Sequence, residues 1–236
     1  LRQSENVFST IAEGGILLHH PYESFVPFIE MLHQAASDPQ VVSIRQTLYR
    51  TGAGSAVADA LLKAAHAGKD VLVVIELRAR FDEAANIELA NALQAAGAQV
   101  VYGVVGHKTH AKMCMIIRRE GRRLVRYVHL GTGNYHERTA RAYTDYGLLS
   151  SDQELGQDVQ KIFQQIAALG KAGKLKAILQ SPFTLHSGVL ELIEIQRQKA
   201  LQGQPALIQA KMNALTEPSV IRALYGASQA GVHIDL

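Results

Sequence analysis

The chain has 236 residues, of which 47% are hydrophobic and 19% charged, with a formal net charge of +3 and a pI of about 9.0. This ordinary soluble composition is large enough for one or two domains. The mild positive charge fits an anionic substrate but is too weak to require nucleic acid as a partner. The single cysteine, Cys114, excludes an internal disulfide framework and a multi-cysteine zinc site.

The location expected from these features is the reducing cytoplasm. No signal peptide is visible, and the longest apolar runs, such as Val71 to Ile75, are far too short to span a bilayer. The chain starts at Leu1 rather than Met and stops at Leu236 within a predicted strand. Both ends therefore predict a piece of a longer protein.

Strands and helices alternate along the first hundred residues. The apolar patterns predict strands at 16–20, 41–48, 71–77 and 100–105, and helices at 22–36, 55–66 and 82–96. This rhythm predicts an α/β fold with a mostly parallel sheet. In such sheets, ligands bind at the carboxyl ends of the strands, where Arg50 and Arg80 lie.

A basic motif, His107-Lys-Thr-His-Ala-Lys112, follows the fourth strand. If the next apolar run is a strand, His110 and Lys112 share one of its faces. A neutral imidazole can attack phosphorus, and an ammonium offsets charge on the phosphoryl oxygens. The spacing therefore suits phosphoryl transfer, although a solvated basic strand end would give the same short pattern.

The remaining elements of the first segment include a hairpin. The sequence predicts a hairpin turn at 118–123, a returning strand at 124–130, a tight turn at 131–134, an irregular stretch at 138–150 and a helix at 152–169. The Gly- and Lys-rich residues 170–174 are typical of a linker. They predict two domains, at 1–173 and 174–236.

The second segment repeats the first. Residues 178–183 echo residues 17–22, and residues 221–231 match residues 60–68 in the register of their alanines and closing glycine. The pattern predicts an internal duplication whose second copy is truncated. By the repeat spacing, the counterpart of His110 would fall beyond the end of the chain.

Five longer motifs resemble the polyphosphate kinase 1 family. They are His19-His-Pro-Tyr-Glu-Ser-Phe25, Gln46-Thr-Leu-Tyr-Arg50, Arg78-Ala-Arg-Phe-Asp-Glu83, Lys108-Thr-His-Ala-Lys112 and Tyr127-Val-His-Leu-Gly-Thr-Gly-Asn-Tyr135. The similarity runs through the whole chain. It implies the two carboxyl-terminal domains of that enzyme, which have a phospholipase D-like fold, with the second domain truncated.

The resemblance also implies roles for individual residues. His110 matches the family's phosphorylated histidine, and Lys112 would assist it as a point charge. Arg50 and Arg80 match two arginines of the phosphate and magnesium site, where they can grip phosphate oxygens bidentately. Tyr143 matches a tyrosine that stacks on the nucleotide.

Two further residues are possible supports for this site. His129 matches a second histidine that was once considered a phosphorylation candidate in the family. It ranks below His110, because no lysine lies two residues after it. Asn134, at the end of the Gly-Thr-Gly-Asn turn, is expected to orient the imidazole or to bind phosphate.

The implied activity is that of an ATP–polyphosphate phosphotransferase. It transfers the γ-phosphate of ATP reversibly to inorganic polyphosphate through a phosphohistidine. The implied cofactor is Mg²⁺, held mainly through phosphate oxygens near Arg50 and Arg80, because arginine does not ligate metals. The implied partners are ATP or ADP, polyphosphate and further copies of the full-length chain, with peripheral attachment to the inner membrane face left open.

Two alternative functions stay open at this stage. The first is a phospholipase D-type phosphodiesterase or nuclease, which uses the same histidine strategy. In that superfamily the His-x-Lys pattern continues to an aspartate five residues after the lysine, and Ile117 occupies that place here. The second alternative is an inactive fragment that only binds polyanions.

Overall fold

The computed structural model describes residues 6–49, 55–76, 83–103, 109–168 and 173–236. Arg50 and Arg80, the two predicted phosphate-site arginines, lie outside these residues, as does Lys108. The chain forms two compact units, Leu1–Ala177 and Ile178–Leu236, which are described separately below. The domain limits of 1–173 and 174–236 stay a prediction.

The first unit contains six helices and seven strands among the described residues. In chain order they are α1 (Val7–Glu13), β1 (Ile16–His20), α2 (Val26–Ser37), β2 (Val41–Leu48), α3 (Ala56–His66), β3 (Asp70–Ile75), α4 (Glu83–Ala95), β4 (Gln99–Tyr102), β5 (Lys112–Glu120), β6 (Arg123–Gly131), α5 (Glu137–Ala142), β7 (Asp145–Ser150) and α6 (Gln153–Ala168).

The seven strands form one sheet in the order β1-β7-β6-β5-β2-β3-β4. The pairs β2/β3 and β3/β4 are parallel, whereas the other four neighbouring pairs are antiparallel. The prediction of a mostly parallel sheet is therefore wrong. The strand–helix rhythm on which it rested ends after β4, and the chain then returns through the β5/β6 hairpin and β7.

The stretch at 138–150, which was predicted to be irregular, holds α5 and β7. β7 is an interior strand, because it lies between β1 and β6 in the sheet. Its sequence starts with Asp145 and has Gly147 in its middle, and neither residue type favours strands. The strand forms because both neighbours supply a ladder of hydrogen bonds, which a local pattern does not reveal.

Local sequence signals, here glycines, correctly predict where a helix ends and where a hairpin turns. α3 ends next to Gly68, whose φ of 76° lies in the left-handed region that favours glycine. The amide of Lys69 then donates to the Ala64 carbonyl and closes the helix end. The turn of the β5/β6 hairpin has Gly121 at a φ of 60°, so the hairpin predicted from this sequence is confirmed.

The core of the first unit supports the end of β6. Phe28 on α2 is fully buried, and its ring centroid lies 4.5 Å from that of His129 and 4.6 Å from that of Tyr135. Burial of an aromatic side chain of this size stabilises the fold by about 1.5–3 kcal/mol. Core packing therefore holds His129 in a fixed place.

The second unit contains α7 (Leu185–Leu201), β8 (Leu207–Gln209), α8 (Pro218–Gln229) and β9 (His233–Asp235). Strands β8 and β9 pair in parallel, and the small core consists of Ile193, Leu224, Ala227 and Val232. The order helix, strand, helix, strand is that of α2, β2, α3 and β3, in agreement with the predicted duplication. In the part of the chain that is described, no helix combines the length and apolar character that crossing a membrane requires.

Candidate active site

Each of the seven strands either begins or ends along one edge of the sheet, which is called the shared edge below. β2, β3 and β4 are parallel and end at this edge, and β5 begins there with Lys112 because it runs antiparallel to β2. β6 ends there at Gly131, the Cα partner of Lys112. β1 ends and β7 begins at the same edge, where His20 pairs with Asp145. This shared edge therefore brings Lys112 beside the start of the Gly131–Asn134 turn.

His110 and Lys112 contact each other at the shared edge. Lys112 Nζ lies 3.0 Å from each ring nitrogen of His110 and donates to the His110 carbonyl at 2.7 Å. His110 is exposed, whereas Lys112 is buried. A neutral imidazole has one acceptor nitrogen, so the ammonium can donate to only one of the two ring nitrogens at a time. The arrangement presents the ring to solvent with a cation beside it.

The backbone at His110 differs from the prediction in one respect. The residue lies just before β5 rather than within it, so the pair is not aligned by strand alternation. The Lys112 side chain instead turns back onto the imidazole. The Tyr49 ring lies edge-on to His110 with centroids 5.1 Å apart, and its centroid is 5.3 Å from Lys112 Nζ. The aromatic face stabilises the cation electrostatically.

Thr47 on β2 fixes the segment that carries the pair. Its buried hydroxyl donates to the Ala111 carbonyl at 2.7 Å and accepts from the Met113 amide at 2.9 Å. The two bonded residues flank Lys112. A buried threonine in a strand gives no functional signal in the sequence, so sequence reasoning missed this support.

Glu76 and Asn86 make hydrogen bonds that join residues beside the His110–Lys112 pair. The Glu76 carboxylate accepts a hydrogen bond from the Thr109 amide at 2.8 Å, directly before His110. The Asn86 side-chain amide donates to the Glu76 carbonyl at 3.2 Å and to the Tyr49 carbonyl at 3.3 Å. Both side chains are buried, with 4% and 1% of their surface exposed. A carboxylate directly after the apolar run Val71–Ile75 was the signal that could have identified Glu76.

His129 lies behind the shared edge, within the core. Only 2% of its surface is exposed, and its Nδ1 is 3.0 Å from the Tyr135 hydroxyl. Burial, together with the nearby His20, lowers the pKa of His129 to about 3. This environment keeps the ring neutral and away from substrate, in contrast to the exposed ring of His110.

The substitution His129→Gln is expected to flatten the pH dependence of stability. The unfolded chain binds a proton at this histidine below its ordinary pKa of 6.5, whereas the folded protein does so only near 3. The free energy of unfolding therefore falls as the pH drops through this window. Between pH 7 and pH 5 the site accounts for about 2 kcal/mol of that fall. Urea unfolding at the two pH values measures it.

The matched control for this measurement is His66→Gln, at the exposed end of α3. The control should keep the pH dependence of the unmodified chain. A His129→Gln profile as steep as that of the unmodified chain would contradict the buried, neutral state of His129.

The Gly131–Asn134 turn is tied to β7. The Thr132 hydroxyl donates to Asp145 Oδ1 at 2.7 Å and accepts from the Tyr146 amide at 2.9 Å. A Cβ at Gly133 would overlap the Asp145 carboxylate, so glycine is required for this close approach. The turn places Asn134 at the shared edge but directs its Oδ1 into a buried position.

The other predicted residues are distributed as follows. Tyr143 follows α5 with 65% of its surface exposed, so its ring is accessible to a stacking partner. Arg50 directly follows Tyr49 in the sequence, but it lies outside the described residues, as Arg80 does. Among the residues that are described, no group of three or more His, Cys, Asp or Glu side chains is placed to hold a metal ion.

Comparison with known proteins identifies relatives over the whole chain. The family model described as Polyphosphate kinase C-terminal domain 1 matches residues 6–172, and that of Polyphosphate kinase C-terminal domain 2 matches residues 178–236. The chain is 61% identical over 236 residues to a protein named Polyphosphate kinase from Xylella fastidiosa strain 9a5c. That alignment covers 100% of this chain and 34% of the relative.

Two solved structures resemble the fold. The polyphosphate kinase of Porphyromonas gingivalis superposes with a TM-score of 0.89 at 34% identity, over 100% of this chain and 39% of that one. Nuc from Salmonella typhimurium, a phospholipase D family member, superposes with a TM-score of 0.52 at 20% identity, over 68% of this chain and 98% of that one. The second likeness establishes a phospholipase D-like fold and no more.

Proposed function

Because the chain belongs to the polyphosphate kinase family, we propose that its protein transfers the γ-phosphate of ATP reversibly to inorganic polyphosphate. The chain spans 34% of the length of its Xylella relative, so the activity is proposed for the intact protein. The observation that carries the proposal is the contact between the exposed His110 imidazole and the buried Lys112 ammonium at the shared edge.

The proposed reaction has two steps at His110. In the first, the lone pair of a ring nitrogen forms a bond to the γ-phosphorus, the bond from that phosphorus to the bridging oxygen breaks, and ADP leaves. In the second, a terminal oxygen of polyphosphate attacks the phosphorus, and the nitrogen–phosphorus bond breaks. The neutral ring is regenerated, and each step is reversible.

Three groups stabilise the charge that develops during transfer. Lys112 Nζ, within 3.0 Å of the imidazole, lies where it can approach the oxygens of the transferred phosphoryl group. Arg50 and Arg80 are proposed to grip the neighbouring phosphates. Asn86 bonds the carbonyls of Tyr49, which directly precedes Arg50, and of Glu76, which follows β3, and so holds the ends of β2 and β3 together.

The remaining roles concern the nucleotide and the metal. Tyr143, with its exposed ring, is proposed to stack on the adenine base. The described residues beside His110 include one cation, Lys112, one aromatic ring, Tyr49, and one carboxylate, that of Glu76. A single carboxylate fits a Mg²⁺ ion held mainly by phosphate oxygens near Arg50 and Arg80. Such an ion offsets the negative charge of the phosphates when it is bound. Self-association and a cytoplasmic location belong to the same proposal.

The test of this function is a direct comparison of two activities of the intact protein. With ATP, Mg²⁺ and a short polyphosphate primer, we expect chain elongation and release of ADP. With a chromogenic phosphodiester, we expect no turnover above background, since Ile117 on β5 replaces the aspartate of the hydrolase pattern. Diesterase turnover without elongation would contradict the proposal and favour the hydrolase.

A further inference from the structure

A small cavity lies at the shared edge. It has a volume of about 10 Å³, and its lining includes His20, His129 and Asn134, together with Gly131 and Asp145. This volume is enough for about one water molecule. It is far too small for a phosphate group.

Three buried polar atoms at the cavity have no hydrogen-bond partner among the described residues. They are His20 Nε2, His129 Nε2 and Asn134 Oδ1. His20 and His129 are 4% and 2% exposed. A buried polar atom that stays unpaired costs free energy, and most such atoms in proteins are paired with protein or ordered water.

Gly147 of β7 creates the space between the two imidazoles. A Cβ built on this residue would lie 2.7 Å from His129 Nε2 and 3.3 Å from His20 Nε2. Both nitrogens therefore lie over the same glycine, within reach of one small molecule. A larger residue would put a methyl group against His129 Nε2 and next to His20 Nε2.

The hydrogen-bond donors and acceptors of the three groups fit a water molecule. His20 Nδ1 lies 2.8 Å from the Glu23 carbonyl, which only accepts, so in the neutral ring this nitrogen carries the proton and Nε2 is an acceptor. Asn134 Oδ1 is also an acceptor. A water molecule donates to both of these atoms and has a lone pair left for a third bond.

His129 can supply that third bond. Its Nδ1 lies 3.0 Å from the Tyr135 hydroxyl, whose single proton can go to this nitrogen or, at 3.4 Å, to the His129 carbonyl. The shorter contact favours donation to Nδ1. The proton of the neutral ring is then on Nε2, directed at the cavity. The lowered pKa of His129 agrees with a neutral ring in this position. One water molecule that lay between these three atoms would satisfy all of them.

We infer that His20, His129 and Asn134 bind a single buried water molecule, which holds the Gly131–Asn134 turn against β1 and β6. The turn adjoins the reacting groups, because Gly131 is the Cα partner of Lys112 and a Cβ at Gly131 would lie 3.8 Å from Lys112 Cβ. His20 and His129 are therefore positioning residues for Lys112. This catalytic consequence rests on the proposed function, whereas the water site does not.

The test begins with a crystal structure of the intact protein at a resolution that defines ordered water. We expect one water molecule within hydrogen-bond distance, about 2.7–3.2 Å, of His20 Nε2, His129 Nε2 and Asn134 Oδ1. A dry cavity, or a water that contacts fewer than three of these atoms, would overturn the inference. Electron density for the water does not depend on enzymatic activity. A failed kinase assay would therefore not affect the conclusion about the water site.

The positioning role is tested by Gly147→Ala, whose methyl group would displace the water. We expect kcat to fall by about 10- to 100-fold, because small misplacements of reacting groups are costly, while the KM for ATP changes less than about twofold. The matched control is Gly15→Ala, where a Cβ meets its nearest atom, the Leu149 carbonyl oxygen, at an ordinary 3.5 Å. Its kcat should equal that of the unmodified protein.

Two outcomes of the kinetic test would overturn the positioning role. One is an unchanged kcat in a Gly147→Ala protein whose crystal structure lacks the water. The other is an equal loss in Gly15→Ala. If Gly147→Ala does not fold, His20→Phe, which removes the Nε2 acceptor, replaces it with the same expected split between kcat and KM.

Discussion

Replacing His110 by alanine is expected to lower kcat by about 10⁴-fold or more in both reaction directions. The proposed pathway runs through a bond between phosphorus and a ring nitrogen of this residue, and alanine offers no nucleophile in its place. The free energy of unfolding should change by less than about 1 kcal/mol, because the side chain is exposed. Elongation of polyphosphate and formation of ATP from ADP measure the two directions.

The control for this substitution is His66→Ala, which removes an exposed histidine from the end of α3. It should retain full activity in both directions. A His110→Ala protein that kept more than about one hundredth of the kcat would show that phosphate passes to the acceptor by another route.

Replacing Lys112 by methionine is expected to lower kcat by about 10²- to 10³-fold, the usual effect of removing one group that stabilises developing charge. Methionine keeps an unbranched apolar side chain in the buried position but lacks the ammonium that lies 3.0 Å from the His110 ring nitrogens. Lys112→Arg should rescue only part of the loss, because the planar guanidinium does not reproduce a compact point charge. Steady-state kinetics with saturating ATP measure the effect.

The corresponding control is Lys63→Met. Lys63 Nζ donates to the Ser37 hydroxyl on an exposed part of the surface, so its loss should leave kcat unchanged. If Lys112→Met kept kcat within about threefold of the unmodified protein, Lys112 would not stabilise the transferred phosphoryl group.

The parts of the fold that depend on local pattern could be predicted from the sequence. β2 has the limits expected from its run of β-branched and apolar residues, 41–48, and the β5/β6 hairpin follows from the turn at Gly121. β7 could not be predicted, because its weak strand sequence is stabilised by pairing with β1, which lies more than a hundred residues earlier. The antiparallel pairing of β2 with β5 was missed for the same reason, because Gln46 pairs with Cys114, which lies 68 positions later in the chain.

The candidate site, like the fold, could be predicted only in part from the sequence. His110 and Lys112 are close in sequence, so their spacing and the family motif identified them together, and the structure brings them into contact. Their supports depend on distant pairs: Thr47 bonds a residue 64 positions away, and Glu76 bonds one 33 positions away. No local pattern encodes such contacts, which arise only when the sheet places the strand ends side by side.

The central claim is that His110 carries the phosphoryl group between nucleotide and polyphosphate. The measurement that tests it most directly is incorporation of ³²P from γ-labelled ATP into the intact protein, followed by mapping of the acid-labile, base-stable label. We predict label on His110 alone and none in the His110→Ala protein. Label on the buried His129, or an active enzyme that never becomes labelled, would contradict the account.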